Sequence, residues 1–76
     1  MDEEEFLKRM GQKIRDLRND KNWTLYDLEA LTNIDSGDLS KIESGYTNSR
    51  ILTIYKISQA LKVSIDKLFD FAKVNN

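Results

Sequence analysis

Residues 24–45, TLYDLEALTNIDSGDLSKIESG, constrain the fold more than any other part of the chain. They hold two short apolar-periodic segments separated by a polar break. In the first, Leu28 and Leu31 are three apart on one helical face, with Leu25 about a turn before them. Thr24 precedes it and Asp27 follows three residues on, a conservative form of the capping-box start signal. In the second, Leu39 and Ile42 are again three apart, with Asp35 ahead of them as an N-cap. Gly45 comes directly after the last periodic residue, where a left-handed C-cap is wanted. The break Thr32-Asn33-Ile34 has the length that joins two helices at a steep angle. Its one apolar residue, Ile34, is expected to plug the gap between them. Asn33 stands where a positive φ is expected, which asparagine tolerates better than other non-glycine residues.

The surrounding residues extend the pattern. Leu17-Arg18, Trp23-Thr24, Leu28, Leu31, Ile34-Asp35, Leu39-Ser40-Lys41-Ile42-Glu43 and Gly45 are followed by Ile54, Ile57, Ala60-Leu61, Val63-Ser64-Ile65 and Leu68-Phe69. This ordered set resembles the phage-repressor and Cro-like (xenobiotic-response-element type) helix-turn-helix domains, over roughly residues 10–70. The resemblance implies an all-α, compact five-helix, lambda-repressor-like DNA-binding domain with the helix-turn-helix at helices 2 and 3. One domain, residues 1–76, is expected, with 71–76 as a C-terminal tail or dimer extension. The resemblance also implies that Arg18 pairs with Glu43, tying helix 1 to the recognition helix. Two of the family's features are missing. Leu25 stands where many members carry a phosphate-bonding glutamine, and the loop near Asn48 and Ser49 lacks the usual proline.

Composition removes other classes of function. With no cysteine there is neither a disulfide framework nor a thiolate metal site, and with no histidine the commonest catalytic base and metal ligand are absent. Three scattered glycines make no phosphate-cradling loop. No cofactor, metal or small-molecule ligand is indicated, and nothing supplies the nucleophile–base pair of an enzyme. No apolar run is long enough for a membrane span, so a soluble cytoplasmic protein is expected. The net charge of −1 and pI near 5.3 are unusual for a nucleic-acid binder. Removing Asp2, Glu3, Glu4 and Glu5 from the count leaves +3, so a local basic face is still available.

The periodicity predicts helix 1 over residues 3–20, with Phe6, Leu7, Met10, Ile14 and Leu17 in one stripe. Glu3, Glu4 and Glu5 fall in its first turn, where they oppose the helix dipole. Gly11 inside it costs roughly 1 kcal/mol relative to alanine, and marks either close packing or nothing. After a polar connection, Trp23 plugs the base of helix 2, which runs from about Leu25 to Thr32. Helix 3 spans about Ser36 to Ser44. Helix 4 spans about Arg50 to Leu61, capped by Asn48 or Ser49, with Ile51, Ile54, Ile57 and Leu61 in its stripe. Ser64 caps helix 5, which carries Ile65, Leu68, Phe69 and Ala72. Leu52, Tyr55, Phe71 and Val74 fit none of these stripes and form a candidate homodimer interface, in the region through which many members of the family dimerise.

With Leu39, Ile42 and Glu43 turned inward, Gly37, Ser40, Lys41 and Ser44 face outward, flanked by Ser36 and Asp38. A face of small polar groups with one cation suits a major groove, and equally any solvated helix; the resemblance favours the groove. Ser36, Gly37, Ser40 and Lys41 are the expected base readers. Thr24, Tyr26, Ser44, Tyr46, Asn48 and Arg50 are the expected DNA-backbone contacts. The reading is therefore a transcriptional regulator that binds double-stranded DNA as a homodimer on a two-fold operator. The alternative, a helix-turn-helix used as a protein-binding module, is favoured by the acidic pI, by Leu25, and by Asp35 and Asp38 beside the reading face.

Overall fold

Four α-helices and a terminal 3-10 segment make up residues 1–72, which are the residues the computed structural model describes. They are α1 (Glu3–Asp20), α2 (Leu25–Thr32), α3 (Ser36–Glu43), α4 (Ile51–Leu61) and the 3-10 segment Ile65–Ala72. The all-α architecture is thus as expected, and the first three helices begin at the residues their caps indicate. Asp2 accepts from the backbone N–H of Glu5 at 2.8 Å and starts α1.

Each described helix contributes to one core. Met10 and Ile14 from α1, Leu28 from α2, Leu39 and Ile42 from α3, Ile54, Ile57 and Leu61 from α4, and Leu68 from the 3-10 segment are all buried. Trp23 and Ile34 pack against this core from its edge, as their plugging roles require. Gly11 resolves in favour of close packing. A Cβ there would run into the backbone carbonyls of Ile42 and Glu43, so α1 and α3 touch backbone to backbone at this point.

Several expectations need correction. Leu31 does not share the buried face of Leu28: it is 57% exposed, and Thr32 is buried instead. At 3.6 residues per turn the core-facing line through Leu25 and Leu28 continues to position 32 and leaves position 31 roughly a quarter-turn away. The Thr32 hydroxyl stays satisfied by donating to the Leu28 carbonyl at 2.8 Å and accepting from the Ile34 N–H at 3.2 Å. On α4, Ile51 is 64% exposed at the first helical position, and Ser58 is buried with its hydroxyl donating to the Tyr55 carbonyl at 2.7 Å. Neither Asn48 nor Ser49 caps α4: Arg50 is the N-cap and makes no side-chain capping bond.

The expected fifth helix is present, as a 3-10 segment with a break at Phe69 (φ −121°, ψ 16°). The break turns the C-terminal aromatic residues back onto α1. Phe6 stacks on Phe69 with ring centroids 5.7 Å apart and meets Phe71 at 5.5 Å. Lys13 closes the same contact with an ion pair to Asp70 at 3.2 Å. Phe71, expected in the candidate homodimer interface, is therefore half-buried within its own chain, against Phe6. Leu52 (69%) and Tyr55 (46%) remain exposed as expected, and Val74 lies outside the described residues.

Candidate nucleic-acid interface

The ends of α2 and α3 are fixed by short side chains that cap backbone N–H groups and by main-chain turn bonds. The Thr24 hydroxyl accepts from the Asp27 N–H at 3.2 Å, and Asp27 accepts from the Thr24 N–H at 2.8 Å, closing the capping box. Asn33 ends α2 in the left-handed region (φ 60°), and its N–H donates to the Glu29 carbonyl at 2.7 Å. Asp35 then caps α3 by accepting from the Gly37 N–H at 2.9 Å. At the far end Gly45 (φ 76°) donates to the Ile42 carbonyl and Tyr46 to the Lys41 carbonyl, the paired bonds of a Schellman motif. A Cβ at Gly45 would also come within 2.7 Å of the Lys8 Cα, so α1 passes directly over this cap.

The orientation of α3 is held by a charged clamp. Glu43 is 3% exposed. Arg18 donates to it twice, Nε to Oε2 at 2.7 Å and Nη2 to Oε1 at 2.9 Å, and its Nη1 donates to the Trp23 carbonyl at 2.7 Å. Donation to the Glu43 carboxylate raises the Arg18 pKa above the usual guanidinium value; burial opposes the shift and the charge attraction adds to it. Arg15 adds a second guanidinium, Nε to Oε1 at 3.3 Å. One carboxylate thus binds α1 at two successive turns and reaches the start of α2 through Arg18. Sequence reasoning identified Arg18 and missed Arg15, although the three-residue spacing puts both on one face of α1.

The inward turn of Leu39, Ile42 and Glu43 leaves the other side of α3 to solvent. Gly37, Ser40 and Lys41 are exposed there, whereas Ser36 and Ser44 are half-buried. Lys41 makes no ion pair among the described residues, and neither does Arg50. The two cations line one shallow groove between α3 and the 46–50 loop, together with Asp38, Asn48 and Ser49. Thr24, Tyr26 (74%), Tyr46 (80%) and Asn48 are exposed around it or beside α2. Leu25 packs half-buried against the core, so it offers no polar group to a phosphate.

The start of α3 is acidic. Asp35 and Asp38 stand at its first turn, and Glu29 reaches across from α2 to accept the Ser36 N–H at 3.2 Å. Two of the N–H groups that a bare helix N-terminus would offer to an anion are therefore already bonded to carboxylates. This end of α3 is unsuited to grip a phosphate, and Arg50 across the groove is better suited. Glu29 was not identified from the sequence. Among the described residues no group of three or more acidic side chains is arranged to hold a metal ion. No helix among them is long and apolar enough to cross a membrane.

Comparison with known proteins bears on this site. A family model described as helix-turn-helix matches residues 14–68. Over 57 residues the chain is 35% identical to the HTH-type transcriptional regulator y4dJ of Sinorhizobium fredii, covering 75% of this chain and 74% of that protein. The crystal structure of the restriction-modification controller protein C.AhdI of Aeromonas hydrophila superposes with a TM-score of 0.80 at 30% identity, covering 83% of this chain and 96% of that one. The clp gene regulator ClgR of C. glutamicum superposes with a TM-score of 0.81 at 25% identity, covering 88% and 87%.

Proposed function

The chain belongs to the helix-turn-helix family, whose matching relatives are transcriptional regulators, and from that premise we propose a sequence-specific binder of double-stranded DNA acting as a homodimer on a two-fold operator. The observation that carries the reading is the outward face of α3. It is polar, small in cross-section and bears Lys41, which makes no ion pair among the described residues, while the buried Glu43 clamp fixes its orientation. Such a helix fits a major groove about 12 Å wide without rearrangement.

In this reading Ser36, Gly37, Ser40 and Lys41 meet base edges. Lys41 is the strongest single reader, because an ammonium one turn into the helix reaches guanine O6 and N7. Gly37 serves by letting the helix backbone approach the bases. Thr24, Tyr26, Ser44, Tyr46, Asn48 and Arg50 hold the sugar–phosphate backbone on either side and set register without choosing sequence. Leu52 and Tyr55, with the exposed Ile51 beside them, form an apolar surface on α4 suited to a second copy of the chain. A two-fold pair of this kind spaces its reading helices by about one DNA turn, roughly 34 Å.

The acidic start of α3 favours a second reading, a helix-turn-helix whose partner is a protein. Binding to duplex DNA over a salt series separates the two. A DNA regulator loses affinity steeply with salt, by about 0.9 log units per log unit of salt for each phosphate neutralised, and selects one sequence from a random duplex library. A flat salt response with no enriched sequence supports the protein-binding reading and ends the first one.

A further inference from the structure

Glu29 stands apart from the other acids of the helix-turn-helix. It lies on α2, seven residues before Ser36, and its half-buried carboxylate accepts the Ser36 N–H at 3.2 Å. Among the described residues it has no cationic partner and no other side-chain bond. A carboxylate taken partly out of water without a counter-ion is unfavourable unless something favourable faces it. Here that is the first N–H of α3 and the positive end of its dipole. The same residue holds the other side of the turn, because its backbone carbonyl accepts from the left-handed Asn33 at 2.7 Å. Glu29 therefore spans the turn, with the end of α2 on its main chain and the start of α3 on its side chain.

We propose that Glu29 is a positioning residue for base recognition, a role that rests on the DNA reading above. Asp35 holds Gly37 from within α3's own cap, whereas Glu29 holds Ser36 from the neighbouring helix. The first residue of the reading helix is thereby locked to α2, and α2 to the core. Ser36 then presents its hydroxyl to the groove in one direction, and the angle at which α3 enters is set at its N-terminus as well as at Glu43. The carboxylate has a second effect through its charge: next to DNA it repels phosphates and lowers affinity for every sequence alike.

The two effects separate by substitution. Glu29→Gln removes the charge and keeps an acceptor oxygen at the same reach; Glu29→Ala removes both. Backbone amide exchange in the free protein, read by NMR, should leave Ser36 protected in the wild type and in Glu29→Gln, and faster in Glu29→Ala. Both variants should bind random duplex more tightly than the wild type. Only Glu29→Ala should lose discrimination, by roughly two- to tenfold at the base pair nearest the start of α3, the loss expected for one hydrogen bond. Discrimination at the base pair read by Lys41 should be unchanged. Equal discrimination in the two variants, or a Ser36 amide still protected in Glu29→Ala, overturns the positioning role. A wild type with no preferred sequence removes the DNA reading and this role together, and it is told apart because it appears before any substitution is made.

Discussion

Replacing Glu43 by alanine tests the clamp on which the orientation of α3 depends. The carboxylate is 3% exposed and receives three guanidinium hydrogen bonds, two from Arg18 and one from Arg15. Without it, Arg18 keeps only the Trp23 carbonyl, with its side chain 12% exposed. An unpaired, largely buried guanidinium loses charge-assisted bonds worth about 1.5–3 kcal/mol each, part of which water recovers on the side open at Arg15. A net loss of about 2–4 kcal/mol follows. A domain of this size has a total stability on the order of 4–11 kcal/mol, so the melting temperature should fall by roughly 10–25 °C. Arg15→Ala should cost less than about 1 kcal/mol, since that side chain is 39% exposed. Arg18→Ala should fall between the two, because Arg15 still faces the carboxylate. Thermal and urea denaturation of the single variants and of the Arg18→Ala/Glu43→Ala double variant give the coupling directly. A coupling of about 1–3 kcal/mol is expected, and strictly additive losses would refute the argument.

Three further outcomes follow from packing and exposure. Gly11→Ala should destabilise the fold by about 1–3 kcal/mol, although alanine is the better helix former, because its Cβ meets the Ile42 and Glu43 carbonyls; a raised melting temperature would contradict the backbone contact of α1 with α3. Tyr55→Asp should yield monomers in analytical ultracentrifugation while the helical circular dichroism is kept, whereas Phe71→Asp should lower the melting temperature, because Phe71 packs against Phe6 within one chain. A wild type that sediments as a monomer at tens of micromolar would end the homodimer reading.

The legibility of this fold follows how local its determinants are. The caps at Thr24, Asp35 and Gly45 and the left-handed Asn33 are settled within four residues of chain, and all were readable from residue type and spacing. Leu31 and Ile51 failed for a different reason. Periodicity says which residues share a stripe, but neighbouring helices decide which edge of it is covered, and Thr32 and Ser58 took the buried places. The fifth helix was legible in place from the spacing of Ile65, Leu68, Phe69 and Ala72, whereas its 3-10 form and its break were not, because the stacking of Phe6 on Phe69 joins opposite ends of the chain with no local signature. At the site, Arg18 and Glu43 were accessible through family resemblance. Arg15 and Glu29 were not, since the first is one charge among several along α1 and the second acts on a backbone N–H seven residues away. Asn48 and Ser49 suggested a cap by residue type, yet the chain enters α4 through Arg50 without a side-chain bond.

Whether α3 reads a major groove is decided by comparing Lys41→Ala with Arg50→Ala on an operator selected from random duplex DNA. Both cations line the groove beside α3, but Lys41 is assigned to a base edge and Arg50 to a phosphate. Lys41→Ala should cost about 1–3 kcal/mol on the selected sequence and relax the preference at one base pair per half-site. Arg50→Ala should weaken all sequences alike and flatten the salt dependence by about one unit per half-site. If Lys41→Ala instead leaves base preference untouched and only flattens the salt dependence, Lys41 meets a phosphate and α3 does not read the groove through this face.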